Sequence, residues 1–132
     1  MAYEVFKRTG TRIKTPTLSI VPDGRIAINA AAVRIAKEAR VKSVLLLWDP
    51  TNHRLGIKVT QRDDGNSYAL SISSPHSGSL RAKSFLSYIG WKARRRETVS
   101  ATWNEKERMF EATLPIEHLD PQRPGARQSG GR

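Results

Sequence analysis

The sequence lacks cysteine and any long hydrophobic run. Without cysteine, the 132-residue chain has no disulfide bond, no thiol nucleophile and no thiolate metal ligand. The longest apolar run, Val44–Trp48, is the length of a strand, far below the ~20 apolar residues that span a bilayer. The first ten residues contain no apolar signal region. We therefore expect a cytoplasmic protein that does not contact a membrane.

Sequence motifs for catalysis and for metal binding are also missing. His53, His76 and His118 do not have the HxxxH or HExxH spacing of metal ligands. No GxSxG nucleophile motif and no glycine-rich phosphate loop is present. We expect no metal, no cofactor and no enzymatic activity.

Acidic residues are scarce compared with basic ones. The chain has 23 Lys and Arg against 12 Asp and Glu, a formal net charge of +11. A field of this sign attracts polyanions, which favours nucleic acid as the partner. The alternative is a basic surface that keeps the protein in solution and binds nothing specific.

Hydrophobic periodicity predicts strands, a helix and a hairpin in the first half. Thr17–Val21 and Arg25–Ile28 alternate like strands, and the Pro-Asp-Gly between them is a turn signal. Asn29 is a plausible N-cap for the helix formers AAAVRIAKEA that follow it. Ser43–Val59 then reads as a β-hairpin with its turn at Asp-Pro-Thr-Asn.

The same order of elements returns in the second half. Gln61–Ser67 is a polar linker or turn, and Tyr68–Ile72 is strand-like. Ser73–Gly78 reads as a loop. Arg81–Trp91 has apolar residues at helical spacing and a glycine stop signal near its end. Glu97–Leu114 supplies a second hairpin, with its turn around Asn-Glu-Lys.

The two hairpins match without a gap at an offset of 55 residues. The pair Trp48-Asp49 corresponds to Trp103-Asn104, and Leu55 corresponds to Phe110. We interpret the match as an internal repeat; the alternative is a chance likeness of two amphipathic hairpins.

These patterns predict an α+β fold, mostly antiparallel strand with two short helices. Residues 1–119 should form one compact domain of two similar halves, about 15–60 and 67–116. Each half is too small to bury a core alone, so we expect the halves to pack as a pseudo-dimer. Residues 120–132 are rich in Pro, Gly and Arg and should form a disordered basic tail.

The segment Gly24–Val59 resembles the AbrB-like swapped-hairpin module. The resemblance lies in the Gly-Arg-Ile-x-Ile strand start at Gly24, the helix around Ala32–Ala36, and the hairpin strands Val44–Leu47 and Leu55–Val59. Modules of this family dimerise with interleaved strands and bind DNA through basic residues. They act as transcription regulators or antitoxins, and the resemblance implies the same class of function here.

The candidate nucleic-acid-binding residues are eight cations and one aromatic residue. Three consecutive arginines cannot all turn inward, because a strand alternates faces and a buried guanidinium needs a partner. Trp91 adjoins the basic run and could stack on a base; the alternative is that it fills the core. The nine residues are Arg25, Arg34, Lys37, Arg40, Trp91, Lys92, Arg94, Arg95 and Arg96.

The sequence leaves three classes of function open. The first is a DNA-binding transcription regulator of AbrB-like type, with DNA favoured over RNA. The second is a single-stranded DNA- or RNA-binding protein. The third is a basic protein-interaction module that binds an acidic protein and no nucleic acid. The oligomeric state and any base sequence that is recognised are also left open.

Overall fold

A computed structural model describes residues 15–61 and 65–120. It has an α+β fold of mostly antiparallel strands with two helices, which confirms the predicted class. In chain order the strands and helices are β1 (Thr17–Ile20), β2 (Arg25–Ile28), α1 (Ala30–Glu38), β3 (Ser43–Asp49), β4 (Arg54–Thr60), β5 (Ser71–Ser74), β6 (Ser77–Arg81), α2 (Lys83–Ile89), β7 (Glu97–Ser100), β8 (Thr102–Asn104) and β9 (Met109–Thr113). A 3₁₀ turn, Ile116–His118, follows.

The strands form two sheets. The five-stranded sheet has the order β5-β6-β2-β1-β7, and the four-stranded sheet has the order β3-β4-β9-β8. Every neighbouring pair is antiparallel. Each sheet takes strands from both predicted halves of the chain, joined by the pairs β2·β6 and β1·β7 in the five-stranded sheet and β4·β9 in the four-stranded sheet. Neither half therefore contains a complete sheet.

One hydrophobic core lies against the inner faces of both sheets. Buried residues alternate with less buried ones in β2, β6 and β9, as expected where one face of a sheet is covered. The largest fully buried side chains of the strands are Leu18, Ile20, Ile26, Val44, Leu55, Ile57, Leu80 and Phe110. Helix α1 adds Ala32, Val33 and Ala36 to the same cluster.

Asn29 begins α1, which confirms its predicted role as N-cap. Its Oδ1 atom accepts hydrogen bonds from the backbone N–H of Ala32 and from that of Thr17, each at 3.1 Å. Its Nδ2 atom donates to the carbonyl of Thr15 at 3.0 Å. One side chain therefore caps the helix and ties it to the start of β1.

Two glycines hold backbone conformations that other residues rarely adopt. Gly24 closes the predicted turn between β1 and β2 with φ 102°, and Gly90 ends α2 in the left-handed region with φ 82°. Both outcomes confirm the turn and stop signals in the sequence.

The hairpin turns repeat each other in detail. His53 and Arg108, which are 55 positions apart, both have φ 55°. The N–H of Val59 donates to the Arg108 carbonyl at 2.9 Å, and the N–H of Leu114 donates to the His53 carbonyl at 2.8 Å. Val59 and Leu114 are also 55 positions apart, so the two bonds are reciprocal. A two-fold arrangement of halves requires such reciprocity, while the pseudo-dimer itself stays a prediction.

Three predicted boundaries in the second half are wrong. The strand predicted over Tyr68–Ile72 is Ser71–Ser74, and the segment Ser73–Gly78, predicted to be a loop, belongs largely to the β5–β6 hairpin. Helix α2 begins at Lys83, because Arg81 is the last residue of β6. The reason is the pairing of β6 with β2, a contact between distant segments that overrides local signals.

The first strand of the second hairpin is divided, which the sequence did not predict. Residue Ala101 separates β7, which pairs with β1, from β8, which pairs with β9. The Ala101 N–H donates to the carbonyl of Pro16 at 2.9 Å, outside either ladder. The chain thus passes from one sheet to the other at a residue that carries no turn signal.

The predicted tail lies almost wholly outside the described residues. Asp120, its first residue, donates its backbone N–H to the Gly90 carbonyl at 2.8 Å. Residues 121–132 are not among those described, so their predicted disorder stays a prediction.

Candidate nucleic-acid interface

Antiparallel pairing brings two arginines together at one end of the five-stranded sheet. Arg25 is the first residue of β2 and Arg81 is the last residue of β6. The two residues lie directly opposite each other in the register. Residues opposite each other in an antiparallel pair have Cβ atoms about 4.5–5.5 Å apart, so the two side chains start as close neighbours.

Lys83, at the start of α2, lies at the same end. A Cβ atom placed on Gly24 would lie 2.8 Å from the Lys83 Cβ, so the helix start packs directly on the β1–β2 turn. A cleft of about 450 Å³ is lined by Asp23, Gly24, Arg25, Arg81 and Lys83.

The basic run before β7 also arrives at this end. Glu97, the first residue of β7, pairs with Ile20, the last residue of β1. A second cleft, of about 240 Å³, has Lys83 and Lys92 in its lining and adjoins the first cleft at Gly24. We call the resulting set the basic end. All of its members are exposed: Arg25, Arg81, Lys83, Lys92, Arg94, Arg95 and Arg96.

Most of these cations have no acidic partner. Asp23 binds Arg25, with 3.0 Å between Oδ2 and Nε. Glu97, the acidic neighbour of the arginine run, lies 3.5 Å from His118 Nε2. Within residues 15–61 and 65–120, no ion pair holds the other six cations of the basic end. Their charge is therefore available to an external anion.

Three predicted site residues lie elsewhere. Arg34 and Lys37 are exposed on α1, and Arg40 follows the helix with φ 58°. Helix α1 begins after Ile28, at the end of β2 opposite Arg25, and none of the three residues lines either cleft. They form a separate set of exposed cations.

Trp91 is partly buried beside the basic run. It forms an isolated bridge with Leu119, and its ring centroid lies 5.4 Å from that of His118. Its indole Nε1 is buried and has no hydrogen-bond partner within the described residues. The ring packs against the core and also lines the cleft that contains Lys92. Base stacking by Trp91 stays a prediction.

A row of small side chains crosses the face of the five-stranded sheet that is opposite the core. In register order the row is Ser71, Ser79, Ala27, Ser19 and Thr98. The Ser19 and Thr98 hydroxyls are 2.8 Å apart. Arg25 and Arg81 lie two residues from the row along β2 and β6, so they share its face.

Sequence reasoning missed Arg81 and Lys83. Helical periodicity places Arg81 at the start of a helix, and no local feature shows that it stands opposite Arg25. The alternation of polar residues with Leu18, Ile72 and Leu80 is a usable sign of the outer face, since each of the three is flanked by polar residues on both sides.

Other kinds of site find little support in the described ranges. They contain no group of three or more His, Asp and Glu side chains placed to hold a metal ion. No helix of residues 15–61 and 65–120 has the length and apolar character needed to cross a membrane.

No protein-family model, curated protein or solved structure matches the chain. Membership of the AbrB-like family therefore stays a prediction.

Proposed function

We propose that the protein binds nucleic acid through the basic end, and that it acts as a DNA-binding transcription regulator of AbrB-like type. The observation that carries the proposal is the convergence of seven exposed cations, six of them without an ion pair among the described residues. Cations of this kind replace the counterions condensed on a polyphosphate, and the release of those ions drives binding.

The surroundings of the basic end favour duplex DNA. Proteins that hold single strands present exposed aromatic faces on which bases stack. Trp91 is the aromatic residue beside the basic run, and its ring is partly buried against His118. Tyr88 supports the single-stranded alternative, because it is 55% exposed on the helix that Lys83 begins.

The proposal includes a mode of action and a compartment. The protein acts by binding and not by catalysis. It works in the cytoplasm, because a chain without cysteine forms no disulfide bond and so needs no oxidising compartment.

Titration of the whole protein against labelled oligonucleotides tests the proposal. Affinity for a DNA duplex and for one of its separated strands is measured by fluorescence anisotropy across a salt series. We expect preference for the duplex and a steep loss of affinity between roughly 50 mM and 200 mM salt. Preference for the single strand would overturn the duplex assignment. Failure to bind either oligonucleotide at the lowest salt would overturn nucleic-acid binding and favour an acidic protein partner.

A further inference from the structure

Arg25 and Arg81 lie opposite each other at the ends of two inner strands of the five-stranded sheet. Strand β2 lies between β1 and β6, and β6 lies between β2 and β5, so neither is an edge strand. Like charges directly opposite each other on paired strands destabilise a sheet. Asp23 offsets the charge of Arg25, but no ion pair among the described residues offsets that of Arg81, so an anion bound beside Arg81 would relieve the remaining repulsion.

Arg25 is already held in place. Its Nε atom donates to Asp23 Oδ2 at 3.0 Å, and its backbone N–H donates to Asp23 Oδ1 at 3.1 Å. Because Asp23 takes the Nε donor, the terminal nitrogens of the same guanidinium remain for a second acceptor. A guanidinium fixed in this way loses less conformational freedom when an anion binds.

Arg81 and Lys83 supply the remaining donors. Neither has an ion pair with any residue in the described ranges. With Asp23 counted, the first cleft carries three cations and one carboxylate, a net charge of +2. A tetrahedral oxyanion suits such a site, because guanidinium groups bind phosphate oxygens through paired N–H donors.

We propose that Arg25, Arg81 and Lys83 form a binding site for one phosphate group. This inference rests on the proposed function, because the phosphate group belongs to a nucleic acid. The group is either an internal phosphodiester or a terminal phosphate monoester. Both present the same oxygens to the three cations.

Arg81→Ala is the principal test. We expect it to reduce affinity for the duplex roughly tenfold and to lower the salt slope by about one unit. The melting temperature should stay the same or rise, because the variant removes a like-charge contact. If Arg81 had only a structural role, the Arg81→Ala substitution would instead lower the melting temperature and leave the salt slope unchanged.

Arg54→Ala is the matched control. Arg54 is also an exposed arginine at the end of a strand, but it lies in the four-stranded sheet and outside the basic end. Its removal should change duplex affinity much less than the removal of Arg81. Arg81→Lys keeps the charge and the fold but not the paired donors, so its affinity should lie between those of wild type and Arg81→Ala.

Inorganic phosphate separates failure of this site from failure of the proposed function. Phosphate should raise the melting temperature of wild type more than chloride does at equal ionic strength, and Arg81→Ala should remove the difference. That result without duplex binding would keep the phosphate site and overturn the proposed function. Equal duplex affinity of Arg81→Ala and wild type, with no specific effect of phosphate, would overturn the site and leave the proposed function standing.

A duplex with and without a 5′-phosphate distinguishes the two sources of the group. Weaker binding by Arg81→Ala on both duplexes identifies an internal phosphodiester. Weaker binding confined to the phosphorylated duplex identifies a terminal monoester. Equal affinity of variant and wild type on both duplexes overturns a phosphate contact by Arg81 in the complex.

Discussion

At the scale of single residues, the two hairpin turns show how different side chains build the same geometry. Asp49 Oδ1 accepts the backbone N–H of Asn52 at 3.3 Å, and Asn104 Oδ1 accepts that of Glu107, 55 positions after Asn52, at 3.1 Å. Asp and Asn favour this position because their side-chain oxygens bind backbone N–H groups a few residues ahead. This local chemistry allowed both turns to be predicted from the sequence.

Replacing Asp49 with Asn should alter the response to acid. The Asn52 side chain donates to Asp49, and with the backbone N–H groups of Asn52 and Thr51 and the charge of Arg54 it holds the pKa of this carboxyl below its ordinary value of 3.8. A lowered pKa stabilises the fold above the ordinary value, and the contribution is lost as pH falls through the folded-state pKa.

The check is thermal unfolding of wild type and Asp49→Asn between roughly pH 6 and pH 2. Asn keeps the acceptor oxygen, as Asn104 does in the other turn, but it does not titrate. The stability of wild type relative to the variant should therefore decrease as the pH falls below the ordinary value of 3.8. A difference that stays constant over the whole range would contradict this account.

Gly24→Ala should destabilise the protein. Gly24 has φ 102°, and an added Cβ would lie 2.8 Å from the Lys83 Cβ. Backbone strain and this close approach together should cost about 2 kcal/mol in the free energy of unfolding, measured by urea titration. Gly65→Ala is the control, because a Cβ there meets nothing within 4 Å. Equal stability of the two variants would show that the turn tolerates a side chain.

At the scale of elements, those set by local residues could be predicted from the sequence, and those set by pairing between distant strands could not. Asn29, Gly90 and the turn residues act on their own neighbours, so α1, the end of α2 and both hairpins were predicted. The β5–β6 hairpin and the break at Ala101 depend on pairing with β2, β1 and β9, distant segments that no local pattern reveals.

The candidate site divides in the same way. The arginine run before β7 is visible in the sequence, because an arginine side chain is costly to bury without a partner and three adjacent ones must largely face water. The position of Arg81 opposite Arg25 is set by the β2·β6 register and becomes visible only in the fold.

Neither half of the chain should fold in the absence of the other. Each sheet is completed by pairs from different halves, β2·β6 and β1·β7 in one sheet and β4·β9 in the other. Fragments 1–62 and 63–132 should therefore be unfolded alone and should form a folded one-to-one complex when mixed. Circular dichroism and size-exclusion chromatography measure this. A native spectrum from either fragment alone would contradict the interleaved arrangement of strands.

At the scale of the whole molecule, the positive charge is unevenly distributed. The seven cations of the basic end meet at one end of the five-stranded sheet. The β8–β9 hairpin of the four-stranded sheet carries little net charge, because its glutamates Glu105, Glu107 and Glu111 stand beside Lys106 and Arg108, and Glu107 pairs with Lys58 at 3.8 Å. Such an asymmetric field orients a protein toward a polyanion and speeds association at low salt.

The basic end is tested most directly by removing its arginine run. A triple variant, Arg94→Ala, Arg95→Ala and Arg96→Ala, is compared with wild type for duplex affinity across a salt series, after circular dichroism has shown an unchanged fold. A control triple removes the same charge outside the basic end; its substitutions are Lys42→Ala, Arg54→Ala and Lys106→Ala.

If the arginine run binds phosphates, the first variant should bind the duplex more weakly, and its salt slope should flatten by about one unit for each phosphate that is no longer neutralised. The control triple should keep a slope close to that of wild type. Equal affinity and equal salt slope in the arginine variant and wild type would contradict a nucleic-acid interface at the basic end.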